Sequence, residues 1–216
     1  MPQQRRRPAH LARMRDDGGV TPLPRSLCAL AGLVAGLAGI AVSHAVTMVL
    51  TIRATPLLAV AEAVVEITPG PLAESLIQVV GQYDKPLLII GVTLGLLGLS
   101  AWAGALSPRG QAFPIAVFVL MGALGAAAAG TRPQASPVDV VPVVAGTLTW
   151  IVVLALLVDR LTKLTREAGA AEGTEVDPAR RRFLVTAGAV AAGAVVVGVA
   201  GQLVGASRRG VEASRK

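Results

Sequence analysis

Five long apolar runs separated by polar segments set the layout of this 216-residue chain. They cover residues 27–52, 86–107, 113–131, 140–158 and 183–207, and none contains Asp, Glu, Lys or Arg. A bilayer core about 30 Å thick takes roughly 20 apolar residues as a helix, whereas membrane-barrel strands are about half as long and alternate in polarity. The pattern therefore predicts an all-α polytopic membrane protein with five transmembrane helices. Four form a membrane domain over 27–159, and the fifth stands apart over 183–207.

The segments between the runs differ in kind. Residues 53–85 form the longest connection and carry helix signals of their own. Thr55-Pro56 pairs a capping hydroxyl with a proline in the first turn. Leu57, Val60, Ala61, Val64 and Val65 then give an apolar surface, with Glu62 and Glu66 one turn apart. Thr68-Pro69-Gly70-Pro71 breaks this helix, a shorter amphipathic stretch covers 72–80, and Tyr83-Asp84-Lys85 leads into the second run. Two short interfacial helices fit this pattern. Residues 1–26 read as a basic disordered tail, and 160–182 as a polar linker with Ala-Gly-Ala-Ala-Glu-Gly at its middle.

Composition agrees with the membrane class. The chain is 53% hydrophobic and only 15% charged, where soluble domains have about 25% charged residues. Mean hydropathy is +0.65. The net charge of +7 is no sign of nucleic-acid binding, because the basic residues sit at the chain ends and between runs, without interleaved aromatics. Their placement reports topology instead. Arg5, Arg6, Arg7, Arg13, Arg15 and Arg25 precede the first run, and Arg160, Lys163, Arg166 and Arg180–Arg182 precede the fifth. With Arg109 they fall on one side of the membrane, leaving Arg53, Lys85 and Arg132 on the other. The positive-inside rule puts the N-terminus in the cytoplasm of a plasma-membrane protein.

The C-terminal charges Arg208, Arg209, Arg215 and Lys216 go against that rule if the fifth run spans. Either the fifth run is an interfacial hairpin, or it is inserted by a route that follows an address and not a charge tally. The residues before it favour the second. Arg180, Arg181, Phe183 and Leu184 form an Arg-Arg-x-Phe-Leu sequence ahead of a mild Ala/Gly/Val stretch, which is the pattern of a twin-arginine export signal. The C-terminus is then extracytoplasmic, and 208–216 is an exported tail.

Few residues offer chemistry. His44 is the only histidine within a run and shares a helical stripe with Thr47 and Thr51. It is a weak candidate for a haem or quinone contact. The bland reading, a neutral histidine bonded across to another helix, outweighs it, and a bis-histidine haem would lack a second membrane ligand, since His10 lies in the tail. Glu62 and Glu66 could handle a proton or meet Arg53 or Lys85, but a solvated face at the membrane surface is the commoner outcome. Asp139 reads as a helix-start residue. Cys28, the one cysteine, reads as a small packing residue, since a lone thiol makes no internal disulfide or four-cysteine metal site. No catalytic set, metal cluster or phosphate loop is legible, so no cofactor is expected in this chain. Small residues four apart, namely Gly32/Gly36, Gly91/Gly95, Gly122/Ala126 and Gly201/Gly205, suggest helix–helix contacts.

The order of parts resembles the N-terminal membrane region of actinobacterial molybdopterin-dependent oxidoreductases of the sulfite-oxidase type. The matching residues are Thr55-Pro56-Leu57 through Glu62, Thr68-Pro69-Gly70, Asp84-Lys85-Pro86, Thr131-Arg132-Pro133 and Asp177-Pro178-Ala179 through Leu184. The resemblance implies four helices, a cytoplasmic linker, the export signal with a fifth helix, and then an exported catalytic domain. That domain would hold the molybdopterin and its metal-ligating cysteine, and it would begin about where this sequence ends at Lys216. Cys28 cannot stand in for that ligand. The expectation is a membrane anchor and export region, not catalytic by itself, with the enzyme missing from the chain. Its implied partners are the lipid bilayer, the secretory and twin-arginine machineries, and a separate molybdopterin domain or electron carrier. The alternative is a haem- or quinone-binding electron-transfer subunit for another oxidoreductase. A small transporter or scaffold ranks lowest, since the runs lack midplane charges.

Overall fold

The computed structural model describes residues 24–52, 55–67, 84–133, 135–170 and 177–213. The basic tail with His10, Arg53, the turn at 68–70, the second amphipathic stretch, Tyr83, the centre of the linker, Arg215 and Lys216 lie outside these residues. The described elements are α1 (Arg25–Val49), α2 (Pro56–Ile67), α3 (Asp84–Leu106), α4 (Ala112–Gly130), α5 (Val141–Ala170) and α6 (Asp177–Ala213). Short 3₁₀ turns, Ser107–Arg109 and Pro137–Val140, join α3 to α4 and precede α5. Among the described residues, five helices are long and apolar enough to cross a membrane, so the protein is an all-α, multi-pass membrane protein.

α1 is the central helix and packs along α3, α5 and α6. In its most apolar stretch 44% of residues are buried, against 17% in α3 and in α6, which lie at the periphery. Outward-facing Leu94, Leu120, Leu124, Leu148, Val185 and Val196 cover the periphery, a surface suited to lipid.

α1 takes its central place because small residues cover it on all sides. Toward α3, a Cβ on Gly32 would lie 2.9 Å from Gly104 Cα, and one on Gly104 would lie 2.7 Å from Gly32 Cα. One turn on, a Cβ on Gly36 would meet Ser100 Oγ at 2.8 Å. Toward α5, Gly39 lies beneath the Trp150 ring, and a Cβ on Gly146 would come 3.0 Å from Gly39 O. Trp150 Nε1 donates to Gly36 O at 3.0 Å, and its ring stacks on Phe118 with centroids 5.6 Å apart. Toward α6, a Cβ on Gly201 would lie 2.6 Å from Ala45 Cα, and one on Gly205 3.1 Å from Met48 Cβ. Cys28 is fully buried in the core, beside the α1–α3 crossing.

A Cβ on Gly122 of α4 would come 2.8 Å from Thr147 Cγ2 of α5, so three of the four small-residue pairs include glycines at tight contacts. Gly91 and Gly95 do not, having nothing within 4 Å of a built Cβ. They lie on an exposed face of α3, so the expected contact there is corrected.

The helices run past the expected span ends at two places. The linker expected over 160–182 narrows, because α5 continues to Ala170 and α6 begins at Asp177. Leu157, Leu161 and Leu164 carry the apolar stripe of α5 beyond its span, against the core that includes Phe183. Asp159 and Lys163 pair one turn apart at 2.7 Å on the exposed side of this extension. At its far end α6 continues to Ala213, past the expected end at 207.

α1 ends in a Schellman motif: Ile52 N–H donates to Thr47 O at 3.1 Å and Thr51 N–H to Met48 O at 3.3 Å. Thr51 holds the left-handed position at φ 54°, which usually goes to glycine. The chain then enters α2, where Thr55 Oγ1 accepts from Leu58 N–H at 3.3 Å and Pro56 takes the first helical position. Before α5, Asp139 accepts from Ser136 N–H at 2.8 Å in a capping box.

Candidate functional site

α1 contributes Gly39, Ile40, Ser43 and His44 to a cavity that α4 and α5 close from the sides. α4 supplies Met121, Gly122 and Gly125, and α5 supplies Val143, Gly146, Thr147 and Trp150. Pro56, Leu57 and Val60 of α2 close one end, and Leu96 of α3 reaches in. The space is about 140 Å³ and its walls are mostly apolar. It occupies the end of the bundle where α1 finishes and α5 starts.

The polar groups of this cavity are not equivalent. Thr147 Oγ1 is bound to Val143 O of its own helix at 2.8 Å, and Thr55 Oγ1 is committed to capping α2. Ser43 and His44, adjacent on α1, remain. His44 Nε2 lies 3.4 Å from Gln202 Nε2 of α6, so the ring bridges the cavity and the fifth span. This contact occupies Nε2 and leaves Nδ1 as the second polar atom of the ring. The stripe expected from His44, Thr47 and Thr51 does not form one site. Thr47 is fully buried with its hydroxyl on Ser43 O, and the Thr51 hydroxyl bonds Leu50 O in the terminal turn.

Glu62 and Glu66 are likewise separated. Glu62 Oε2 accepts from Arg132 Nε at 2.8 Å and Oε1 from the terminal nitrogen at 3.1 Å, a bidentate pair. Glu66 is exposed. The partner comes from the loop after α4 and ties α2 down beside the Ala59–Ala129–Val143 contact. The sequence offered Arg53 or Lys85 as possible partners and favoured a solvated face for both carboxylates; for Glu62 the pairing with Arg132 replaces that face. The pair is part exposed, at 30% and 46% for Arg132 and Glu62, so it contributes no more than about 1 kcal/mol. We expect Arg132→Ala and Glu62→Gln each to lower stability by about that amount. The double substitution should cost little more than either single one, as a thermal double-mutant cycle would show.

The Arg-Arg-x-Phe-Leu sequence lies at the other end of the bundle. Arg180, Arg181 and Arg182 are exposed on the first turns of α6. Phe183 is fully buried in the core that includes Leu157 and Leu161, whereas Leu184 is 43% exposed. The sequence reading missed Trp150 and Arg132. Trp150 could have been noticed as one of two tryptophans in a chain with 3% aromatics. Arg132 carried no local signal, because its partner is 70 residues away. Among the described residues, no cluster of His, Cys, Asp and Glu is suited to a metal ion.

No family model, no curated protein and no solved structure shows significant similarity to the chain.

Proposed function

We propose that this chain is a non-catalytic membrane anchor whose fifth span is delivered by the twin-arginine route, as part of a molybdopterin-dependent, sulfite-oxidase-like oxidoreductase. The N-terminus is cytoplasmic in the plasma membrane, and the end of α6 faces outward. One observation carries the reading: α6 is a peripheral helix with exposed arginines at its start. It packs mainly on α1, through Gly198, Gly201 and Gly205, and touches α5 less. Val185, Val195, Val196 and Leu203 face outward. A helix seated this way can dock onto four spans already in place without opening them.

That geometry supports insertion in two stages. Spans α1, α3, α4 and α5 enter through the general secretory machinery. The exposed Arg180 and Arg181 then present α6 to a translocase that accepts folded cargo. A cofactor such as molybdopterin must be enclosed by folded protein before export, which gives the second route its physical purpose. The molybdopterin chemistry itself rests on the resemblance of the sequence.

Arg180→Lys with Arg181→Lys is expected to keep a reporter fused after Lys216 on the cytoplasmic side, with most of the exported signal lost. Lysine preserves the charge but not the planar guanidinium. Unchanged export in that variant would refute the reading.

A further inference from the structure

The cavity beside His44 lies at the opposite end of the bundle from Arg180 and Phe183. Its volume of about 140 Å³ is large beside the roughly 10–15 Å³ that one water requires, so it is ring-sized and not water-sized. Its walls are those of a ligand site, mostly apolar with a few polar groups that can fix an orientation. Trp150 forms one wall and is held rigid by Phe118 and by its bond to Gly36 O.

The ligand class follows from which polar groups remain. Thr147 donates to Val143 O and Thr55 accepts from Leu58 N–H, so the Ser43 hydroxyl and the His44 ring are the side-chain groups at the cavity not bonded to backbone. Gln202 faces His44 Nε2, which leaves Nδ1 to meet a ligand. A hydroxyl and an imidazole nitrogen on an otherwise apolar wall match a flat apolar ring bearing oxygen atoms. An acyl chain would fill the same volume but offer neither group a hydrogen-bond partner, whereas ring oxygens would.

We propose that the cavity between α1, α4 and α5 binds the ring of a membrane quinone, with Ser43 and His44 as the groups that hold its oxygen atoms. α2, held by Glu62 and Arg132, is the roof of the site. The proposal concerns binding alone and stands apart from how α6 is inserted.

The test uses the full chain in lipid nanodiscs, with menadione as the probe. Trp102 lies exposed on α3, away from the cavity, so Trp102→Phe leaves Trp150 as the reporting fluorophore. Menadione is expected to quench Trp150 saturably. Trp102 in a Trp150→Phe protein should be quenched without saturation, by probe dissolved in lipid. His44→Leu is expected to weaken binding about tenfold and His44→Gln by less than about threefold, since glutamine keeps a donor. Val60→Phe fills the cavity from its roof and should abolish saturation without touching the helix crossings. Quenching of Trp150 that never saturates would overturn the proposal. So would saturation that Val60→Phe removes but His44→Leu leaves unchanged, which would identify an acyl-chain site. A phospholipid, and no quinone, retained at the site in native mass spectrometry would also overturn it.

Discussion

Gly32→Leu is expected to disrupt the bundle, whereas Gly91→Leu is expected to leave it intact. The two substitutions are chemically identical and both fall within spanning helices. They differ only in what the new side chain meets. At Gly32 even a Cβ would be 2.9 Å from Gly104 Cα and 3.0 Å from Gly104 N, and would overlap Ser100 O. All three are backbone atoms, which cannot rotate away, so α1 and α3 must separate. Overpacking a core costs about 1–3 kcal/mol when side chains can adjust. A backbone collision at a reciprocal Gly32–Gly104 crossing falls at or above the top of that range. The separation also spoils the Gly36–Ser100 contact one turn along. At Gly91 nothing lies within 4 Å, and the leucine points outward, where Leu87, Ile90 and Leu94 already lie. Thermal unfolding of both variants in one detergent would measure the difference. Equal melting temperatures would show that α1 and α3 do not cross at these glycines.

The second large effect concerns the attachment of α6. Gly201→Leu with Gly205→Leu is expected to detach this helix from α1 and leave the other four spans folded. A Cβ at Gly201 would stand 2.6 Å from Ala45 Cα and 2.7 Å from Ala45 Cβ, and one at Gly205 3.3 Å from Met48 O. Neither position has room for a leucine. A cysteine pair can report the contact directly. A Cβ built on Gly198 lies 3.7 Å from Ala41 Cβ, within the usual disulfide range of about 3.5–4.5 Å. In a Cys28→Ala background, Ala41→Cys with Gly198→Cys should cross-link on oxidation. Proteolysis between α5 and α6 would then release two fragments only after reduction. Adding the two leucines should abolish the cross-link. Its persistence would show that α6 does not depend on the glycine contacts.

Much of the local structure was legible because its signals are local. Thr55-Pro56 announced the start of α2, and Asp139 announced the turn into α5, since a cap needs only a few neighbouring residues. Helix lengths were less legible. Polar residues after Val158 suggested a linker, yet Leu161 and Leu164 continue the buried stripe, and the exposed side tolerates Asp159 and Lys163. Polarity marks where a helix leaves the apolar layer and not where the helix ends. The candidate site was the least legible part. His44 stood out as an ionisable residue in a span, but the cavity beside it draws on five helices.

The sequence by itself determined that the chain is helical, that it has five segments fit to cross a bilayer, and where the polar connections fall. Those features follow from a one-dimensional requirement: in lipid, each backbone polar group must be satisfied within its own helix, and the length is set by membrane thickness. Only the tertiary structure decided that α1 is central, that Gly32 and Gly201 are contacts while Gly91 is not, and that Glu62 pairs with Arg132. In lipid a neighbouring helix and a hydrocarbon chain are equally apolar, so hydropathy along the sequence does not distinguish a packed face from a lipid-facing one. Close fit between backbones makes that choice, and it depends on residues far apart in the chain.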